Sequence, residues 1–480
     1  MQMENKPHAA LLVSPGVGHL IPAIELAKRL LTHHNFLITV FVVTTDSSTA
    51  RSIITQHTSN LPSLNVVIFP PVDVSAKLGP NPSLEARMNF TMIQSLPLLR
   101  SSVLSMNPRP TVLIVDIFGT LAFPMAREFG MLTYVFFTSC AWFTAATIYL
   151  SVIDKEMEDR HVNYREPLHI PGCKPVPFED SLEAILCRDG PMYEGFLKAA
   201  QDIISADGIL VNTWHGLEPT TVKALMDREI LGGITKGPVY FIGPLVRSTE
   251  PKTKEKDEIL RWLDDQPTGS VIYVSFGSGG TLSAAQMTEL AWGLELSRQR
   301  FVWVVRPPKE EDTSGSFFDV VKGGKECMDY LPEGFAKRNH EVGRVVPMWA
   351  TQAEILGHSS VGGFVTHCGW NSTLESVMHG VPMVAWPLYA EQKMNACMLS
   401  AELEVAVRLR GPEGAVVPRE EIRKVVRRVM AEKEGKAMRG RVRELMLSGE
   451  KAISQFGPSH LALCRVTTDC LNHQMNGKIY

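Results

Sequence analysis

Short apolar runs alternate with longer amphipathic stretches along most of this chain. In the first half, Ala9 to Val13 precedes Leu20 to Leu31, Phe36 to Val43 precedes Thr49 to His57, and Val112 to Val115 precedes Leu121 to Phe129. The short runs lack polar alternates, as expected of strands covered on both faces. In the first long stretch, Leu20, Ile24, Ala27 and Leu31 draw one apolar stripe at helical spacing, with Glu25 and Lys28 outside it. Met131 to Ile153 carries no charged residue and is long enough to span a bilayer. Its Ser and Thr content, and its division into strand-like Leu132 to Phe137 and helix-like Ser139 to Ile153, favour a buried strand-helix unit instead. Strand and helix in repeated alternation predict a parallel sheet with helices on both faces, whose ligands gather at the C-terminal strand ends.

The alternation pauses after Gly243-Pro244-Leu245, where Arg247 to Asp257 is almost wholly polar and reads as a linker. It resumes with Ser270 to Phe276, Phe301 to Val305, Gly343 to Val346, Gly362 to Thr366 and Met383 to Ala385. A chain of 480 residues exceeds one ordinary core, so the expected architecture is α/β, two doubly wound domains facing each other across a cleft. The expected boundaries are residues 1–246, a linker at 247–257, and a second domain at 258–457. Pro307 to Asp329 interrupts the second set and reads as a long surface loop, a solvated insertion in preference to a flap over the site.

Composition narrows the class. The chain is 45% hydrophobic and 21% charged with net charge −3, and no Lys/Arg block stands out, which argues against nucleic acid as a partner. Eight cysteines show no Cys-x-x-Cys pair and no metal-ligand spacing, so reduced thiols in the cytoplasm are expected. Leu11 to Val13 is stopped at once by Ser14-Pro15-Gly16, so no secretory leader is expected. Leu461 to Tyr480 contains Arg465, Asp469 and Lys478, so no membrane anchor is expected there.

Candidate chemistry concentrates in two places. In Gly-Gly-Phe-Val-Thr-His-Cys-Gly-Trp-Asn-Ser, Gly362 to Thr366 reads as a strand and Trp370 to His379 as a helix. A strand turning into a helix start through His367, Cys368 and Gly369 presents backbone N–H groups and the positive helix end to an anion. Asn371 and Ser372 are placed to cap that helix or bind a phosphate oxygen, and His367 adds a donor. Glu375, one turn on, suits a pair of ribose hydroxyls, and Trp349 offers a flat face to a base. The second place is Ser14-Pro15-Gly16-Val17-Gly18-His19 after the first strand. An imidazole with an ordinary pKa of about 6.5 accepts a proton near neutral pH. From position alone His19 is as readily a capping or loop residue; Asp116, ending Val112 to Val115 at the same sheet edge, is placed to fix its tautomer.

The run from Trp349 to Gln392 resembles the signature box of plant secondary-product UDP-glycosyltransferases, and the likeness extends over essentially the whole chain. The resemblance implies the GT-B fold, two Rossmann-like domains with acceptor bound by the first and UDP-sugar by the second, and a C-terminal helix within 458–480 returning to the first domain. It implies that Trp349 stacks on uracil beside Ala350, with Gln352 reading the base edge. His367, Trp370, Asn371 and Ser372 would hold the diphosphate, Glu375 the ribose, and Glu391 and Gln392 the sugar hydroxyls, with a terminal Gln associated with glucose. Ser278, in the turn Ser275 to Gly280, matches a phosphate-contacting position, and Thr138 with Ser139 one that touches the sugar. His19 is then the general base and Asp116 its support, with UDP-glucose as donor substrate, no prosthetic group, no metal, and a β-glucoside as product.

The stretch from Val274 looks most like the clade that glucosylates hydroquinone and monolignols, so a small phenolic acceptor is expected. Gly18, Ile117, Phe118, Trp142, Phe143 and Ile185 to Phe196 are the expected pocket, although Trp142 stands where relatives often carry a smaller residue. A monomer is expected. Flavonoid or terpenoid acceptors, another donor sugar, and a non-catalytic sugar-nucleotide binder are the alternatives; the last would not need His19 and Asp116. Gly16-Val17-Gly18 after a strand also suggests a dinucleotide-binding oxidoreductase, but the third glycine of that fingerprint falls on Ile21 and Asp46 lies too far along.

Overall fold

The apolar runs of the first half pair as a seven-stranded, wholly parallel sheet. Its strands are β1 (His8–Val13), β2 (Leu37–Val42), β3 (Asn65–Ile68), β4 (Val112–Val115), β5 (Leu132–Phe137), β6 (Gly208–Val211) and β7 (Val239–Phe241). They lie in the order β3-β2-β1-β4-β5-β6-β7. The register sets Ala9 against Val112 and Leu12 against Val115. The second half forms a six-stranded parallel sheet from β8 (Val271–Ser275), β9 (Arg300–Val305), β10 (Gly343–Pro347), β11 (Val361–Thr366), β12 (Met383–Ala385) and β13 (Ala406–Arg408). Its order is β10-β9-β8-β11-β12-β13.

This computed structural model describes residues 6–58, 61, 63–73, 75–78, 84–159, 166–186, 190–247, 258–309, 326–411 and 415–476. Two compact units emerge, one from the residues up to Val246 together with those from Lys451 onward, the other from Arg247–Glu450. The expected linker at 247–257 lies, beyond Arg247, outside the described residues, as does most of the expected loop at 307–329.

The first helix, Val17–His33, starts at Gly16, whose φ of 111° suits glycine. Glu25, expected outside the apolar stripe, is buried. The helix Ser47–Thr58 covers that face, and Glu25 accepts from Lys28 Nζ at 2.8 Å and lies 3.7 Å from His57 Nδ1. A charged group can be buried there because both neighbours are cationic or polar. The C-terminal helix, Pro458–Asn476, completes the first unit's core by packing Leu463, Val466 and Cys470 among residues including Ile24, Tyr134 and Tyr240. Two polar contacts orient it: Ser459 Oγ donates to the Gly243 carbonyl at 2.5 Å, and Tyr240 Oη donates to Asp469 Oδ2 at 2.5 Å.

His34, at the end of the first helix, is buried 5.0 Å from the His460 ring. Burial, then the charges of His460, His33 and Arg29, lowers its pKa from 6.5 to about 4. The unfolded chain therefore binds a proton near pH 6.5 that the folded chain refuses until about pH 4, so this site favours folding less as pH falls through that window. We expect the thermal midpoint to drop on acidification from pH 6.5 to 4, and His34→Gln to flatten the drop. Calorimetry of both proteins across that range checks this, and an identical slope would refute it.

Candidate functional site

In the first sheet β1 and β4 are neighbours whose connections leave in opposite directions, to β2 and to β5. A crevice opens at the C-terminal ends of two such strands. The chain leaving β1 turns at Gly16, and His19 follows in the first helical turn, its N–H donating to the Gly16 carbonyl at 3.2 Å. Asp116 is the first residue beyond β4. Its Oδ2 accepts from the Ser14 N–H at 2.9 Å and from the Ser14 hydroxyl, and its Oδ1 accepts from the Phe118 N–H at 3.1 Å.

His19 Nδ1 stands 3.3 Å from Asp116 Oδ2. That is ion-pair distance. Burial pushes the Asp116 carboxyl up; the His19 charge and the Ser14 hydrogen bonds outweigh it and hold the group below the usual carboxylate range. Phe118 meets the His19 ring edge-on at 5.6 Å. Space beside the helix start is open, since a side chain at Gly18 would meet nothing within 4 Å. The result is an imidazole, 15% exposed, beside a fixed ionised carboxylate that is 5% exposed.

Ile117 and Phe118 are partly exposed next to this pair, and Thr138 is half-buried just beyond β5. Phe143 stacks on Phe196 at 6.3 Å and meets Phe137 edge-on at 5.8 Å. Trp142, expected to line the acceptor pocket, is 0% exposed and so presents no surface to a ligand in this structure. Its place is fixed by the start of the helix Ala141–Asp159, where the Ala141 and Trp142 N–H groups donate to the buried Glu218 carboxylate at 2.9 and 3.1 Å. Glu218 also accepts from the Thr213 hydroxyl at 2.6 Å.

The second sheet repeats the device. β8 and β11 are neighbours whose connections leave to β9 and to β12. Their following loops meet at His367: a Cβ added at Gly277 would lie 2.5 Å from His367 Cε1, and one at Gly369 would lie 2.4 Å from Nε2. Gly277 also has a φ of 75°. Cys368 takes a left-handed φ of 66°, held by its N–H donating to Thr366 Oγ1 at 3.2 Å and by Asn395 Nδ2 donating to its carbonyl at 3.0 Å.

The helix Trp370–Met378 starts from Gly369 without a side-chain cap. Asn371 and Ser372 therefore do not cap it, contrary to one of the sequence expectations. Gln352 Nε2 donates to Ser372 Oγ at 2.9 Å and to Glu375 Oε2 at 2.7 Å, so this amide nitrogen is directed at the helix. Gln392 Oε1 accepts from the N–H groups of Leu388 and Tyr389 at 2.9 and 3.1 Å, with Glu391 one residue before it. Trp349 is 48% exposed next to buried Ala350. Trp370 is buried, and Ser278 is half-buried in the loop after β8.

Burial, and secondarily the Arg306 charge, lowers the His367 pKa to about 4, so near neutral pH it is an uncharged imidazole with one N–H to give. Burial raises the Glu375 pKa, opposed by the Gln352 hydrogen bond and the Arg247 charge. Sequence reasoning missed Ser14, Asn395, Arg306 and Arg247. Only Ser14 carried a signal, as the residue between a buried strand and a glycine turn.

The family described as UDP-glucoronosyl and UDP-glucosyl transferase matches residues 237–436. The chain is 49% identical over 470 residues to UDP-glycosyltransferase 72E2 of Arabidopsis thaliana, spanning 97% of this chain and 96% of that protein. The chain belongs to the UDP-glycosyltransferase family. It is also 41% identical over 466 residues to the hydroquinone glucosyltransferase of Rauvolfia serpentina, spanning 97% of this chain and 98% of that one. The crystal structure of TcCGT1 in complex with UDP superposes with a TM-score of 0.91 at 46% identity, covering 98% of this chain and 100% of that one. The two parallel sheets are those of the GT-B fold, and the enzyme is a UDP-glycosyltransferase that uses a UDP-sugar as donor. Among the described residues no helix is long and apolar enough to cross a membrane, and no group of three or more His, Cys, Asp or Glu is gathered as a metal would require.

A side chain at Gly277 meets both the His367 ring and an unfavourable φ, a strain of about 1–3 kcal/mol before any clash. Gly277→Ala is expected to weaken UDP binding by roughly tenfold or more in titration calorimetry. Unchanged affinity would remove this loop contact from the UDP site.

Proposed function

We propose that this UDP-glycosyltransferase moves glucose from UDP-glucose to a hydroxyl of a small phenolic compound with inversion, using His19 as general base and Asp116 as its support. The observation that carries this reading is the His19 Nδ1 to Asp116 Oδ2 contact of 3.3 Å at the switch point of the first sheet. With Nδ1 turned to the carboxylate, Nε2 is the atom available to the acceptor. Nε2 takes the acceptor proton as the acceptor oxygen bonds to the anomeric carbon. The bond from that carbon to the β-phosphate oxygen breaks, and the electron pair leaves with UDP. One displacement turns the α-linked donor into a β-glucoside. Asp116 stabilises the imidazolium formed.

The departing diphosphate would be met by the positive end of the helix Trp370–Met378, which no side chain caps, and by the His367 N–H. Exposed Trp349 suits a nucleobase, and Glu375, Glu391 and Gln392 suit ribose and sugar hydroxyls. Partly exposed Ile117 and Phe118 and the Phe143–Phe196 stack suit a flat apolar acceptor. Likeness to a hydroquinone glucosyltransferase supports both glucose and a phenol. A cytoplasmic monomer completes the reading; none of the seven described cysteines is in a disulfide.

With UDP-glucose and hydroquinone, we expect a β-glucoside, recognised by the large axial coupling of its anomeric proton. His19→Ala should lower turnover by ~10²–10⁴-fold while leaving UDP affinity intact, because the base contributes to the reaction and not to nucleotide binding. Turnover retained in His19→Ala would assign the base elsewhere, and an α-glucoside would overturn the single displacement.

A further inference from the structure

Arg306, the first residue beyond β9, has no role in the reading above. Its Nη1 donates to the Ser278 carbonyl, and its Nε donates to the Met348 carbonyl at 3.3 Å. Ser278 belongs to the loop after β8, on the phosphate side of the proposed donor site. Met348 belongs to the loop after β10 and immediately precedes Trp349, on the base side. Met348 has a left-handed φ of 66°, held by its N–H donating to the Val305 carbonyl at 2.8 Å.

The loop after β8 is not fixed by close packing alone. A cavity of about 20 Å³, room for about one water, is lined by residues of that loop, Gly277 and Thr281 among them, together with Met287, Trp303 and Arg306. The buried Thr281 hydroxyl in its wall makes no hydrogen bond. The guanidinium is thus a rigid fork joining two loops whose separation must match the distance between a uracil and its diphosphate. Its charge is also felt at His367, beside the same phosphate loop.

We propose that Arg306 is a positioning residue of the donor site: it ties the loop of Ser278 to the loop of Trp349 and sets the spacing of phosphate and base contacts. This rests on the donor-site reading given under the proposed function. Arg306 acts through the backbone of both loops, so its loss releases base and phosphate contacts together. Arg306→Lys would keep the charge on a single ammonium and hold one carbonyl at a time.

The test is titration calorimetry of the full chain with UDP and with uridine, on Arg306→Met, Arg306→Lys and Trp349→Ala, with steady-state kinetics alongside. Arg306→Met should weaken both ligands by roughly tenfold, the scale of a lost charged hydrogen bond, and raise KM for UDP-glucose in step with little change in kcat. Arg306→Lys should recover only part of the loss. Affinities for both ligands within about twofold of the native protein in Arg306→Met, a difference too small for a lost tether, would overturn the inference. So would weakened UDP with unchanged uridine, which assigns Arg306 a charge effect on the phosphates alone. If Arg306→Met does not fold, Arg306→Lys decides: lower uridine affinity supports the tether, and native affinity refutes it. Trp349→Ala separates the two levels of the argument. Undiminished uridine binding there sinks the donor-site reading itself, whereas lost binding there with Arg306→Met unaffected sinks only the tether.

Discussion

Everything chemical in this enzyme depends on one constraint of parallel sheets. Each strand must be followed by a crossover, and crossovers cover the sheet edge except where two neighbouring strands send their chains apart. Each unit has one such place, between β1 and β4 and between β8 and β11. There a loop has no crossover above it, and groups carried on it meet those of the loop that follows the neighbouring strand. Ser14, His19 and Asp116 meet at the first; Gly277, His367 and Gly369 meet at the second.

The same geometry produces opposite electrostatics at the two places. Asp116 is buried yet ionised because two backbone N–H groups, a hydroxyl and an imidazole compensate for its lost hydration. His367 is buried between two glycine backbones with a guanidinium nearby, so its neutral form is favoured. A base that must become cationic during a reaction needs the first environment. A group that must offer an N–H without competing for protons is better served by the second.

Much of this was legible in the chain itself. Val112–Val115, Leu132–Phe137 and Met383–Ala385 lie where the apolar runs put them, because a strand buried on both faces has no other composition. β3, β6, β7 and β13, each three or four residues long, escaped. Glu25 lies outside the apolar stripe yet is buried, because periodicity shows which face of a helix is apolar while a second helix can cover the other face as well; the pocket place of Trp142 came from resemblance, and its full burial had no signal in the sequence. His19 and Asp116 were visible as strand-end residues. The hold of Ser14 on Asp116, of Glu218 on the Ala141 turn, and of Asn395 on Cys368 was not, since each joins positions that only the assembled sheet brings together.

The last helix has a consequence for how the chain is made. Leu463, Val466 and Cys470 belong to the core that β1 begins, so the first unit is closed by residues synthesised after the whole of the second. The second unit is a single uninterrupted stretch, Arg247–Glu450, and has every strand it needs once that stretch has left the ribosome. Synthesis usually favours the N-terminal unit, which folds while the rest is still being made. Here the order of completion is reversed: the unit that starts first waits, with Tyr240 and the Ile24 face of its first helix uncovered, for the final turns of the chain to seal it.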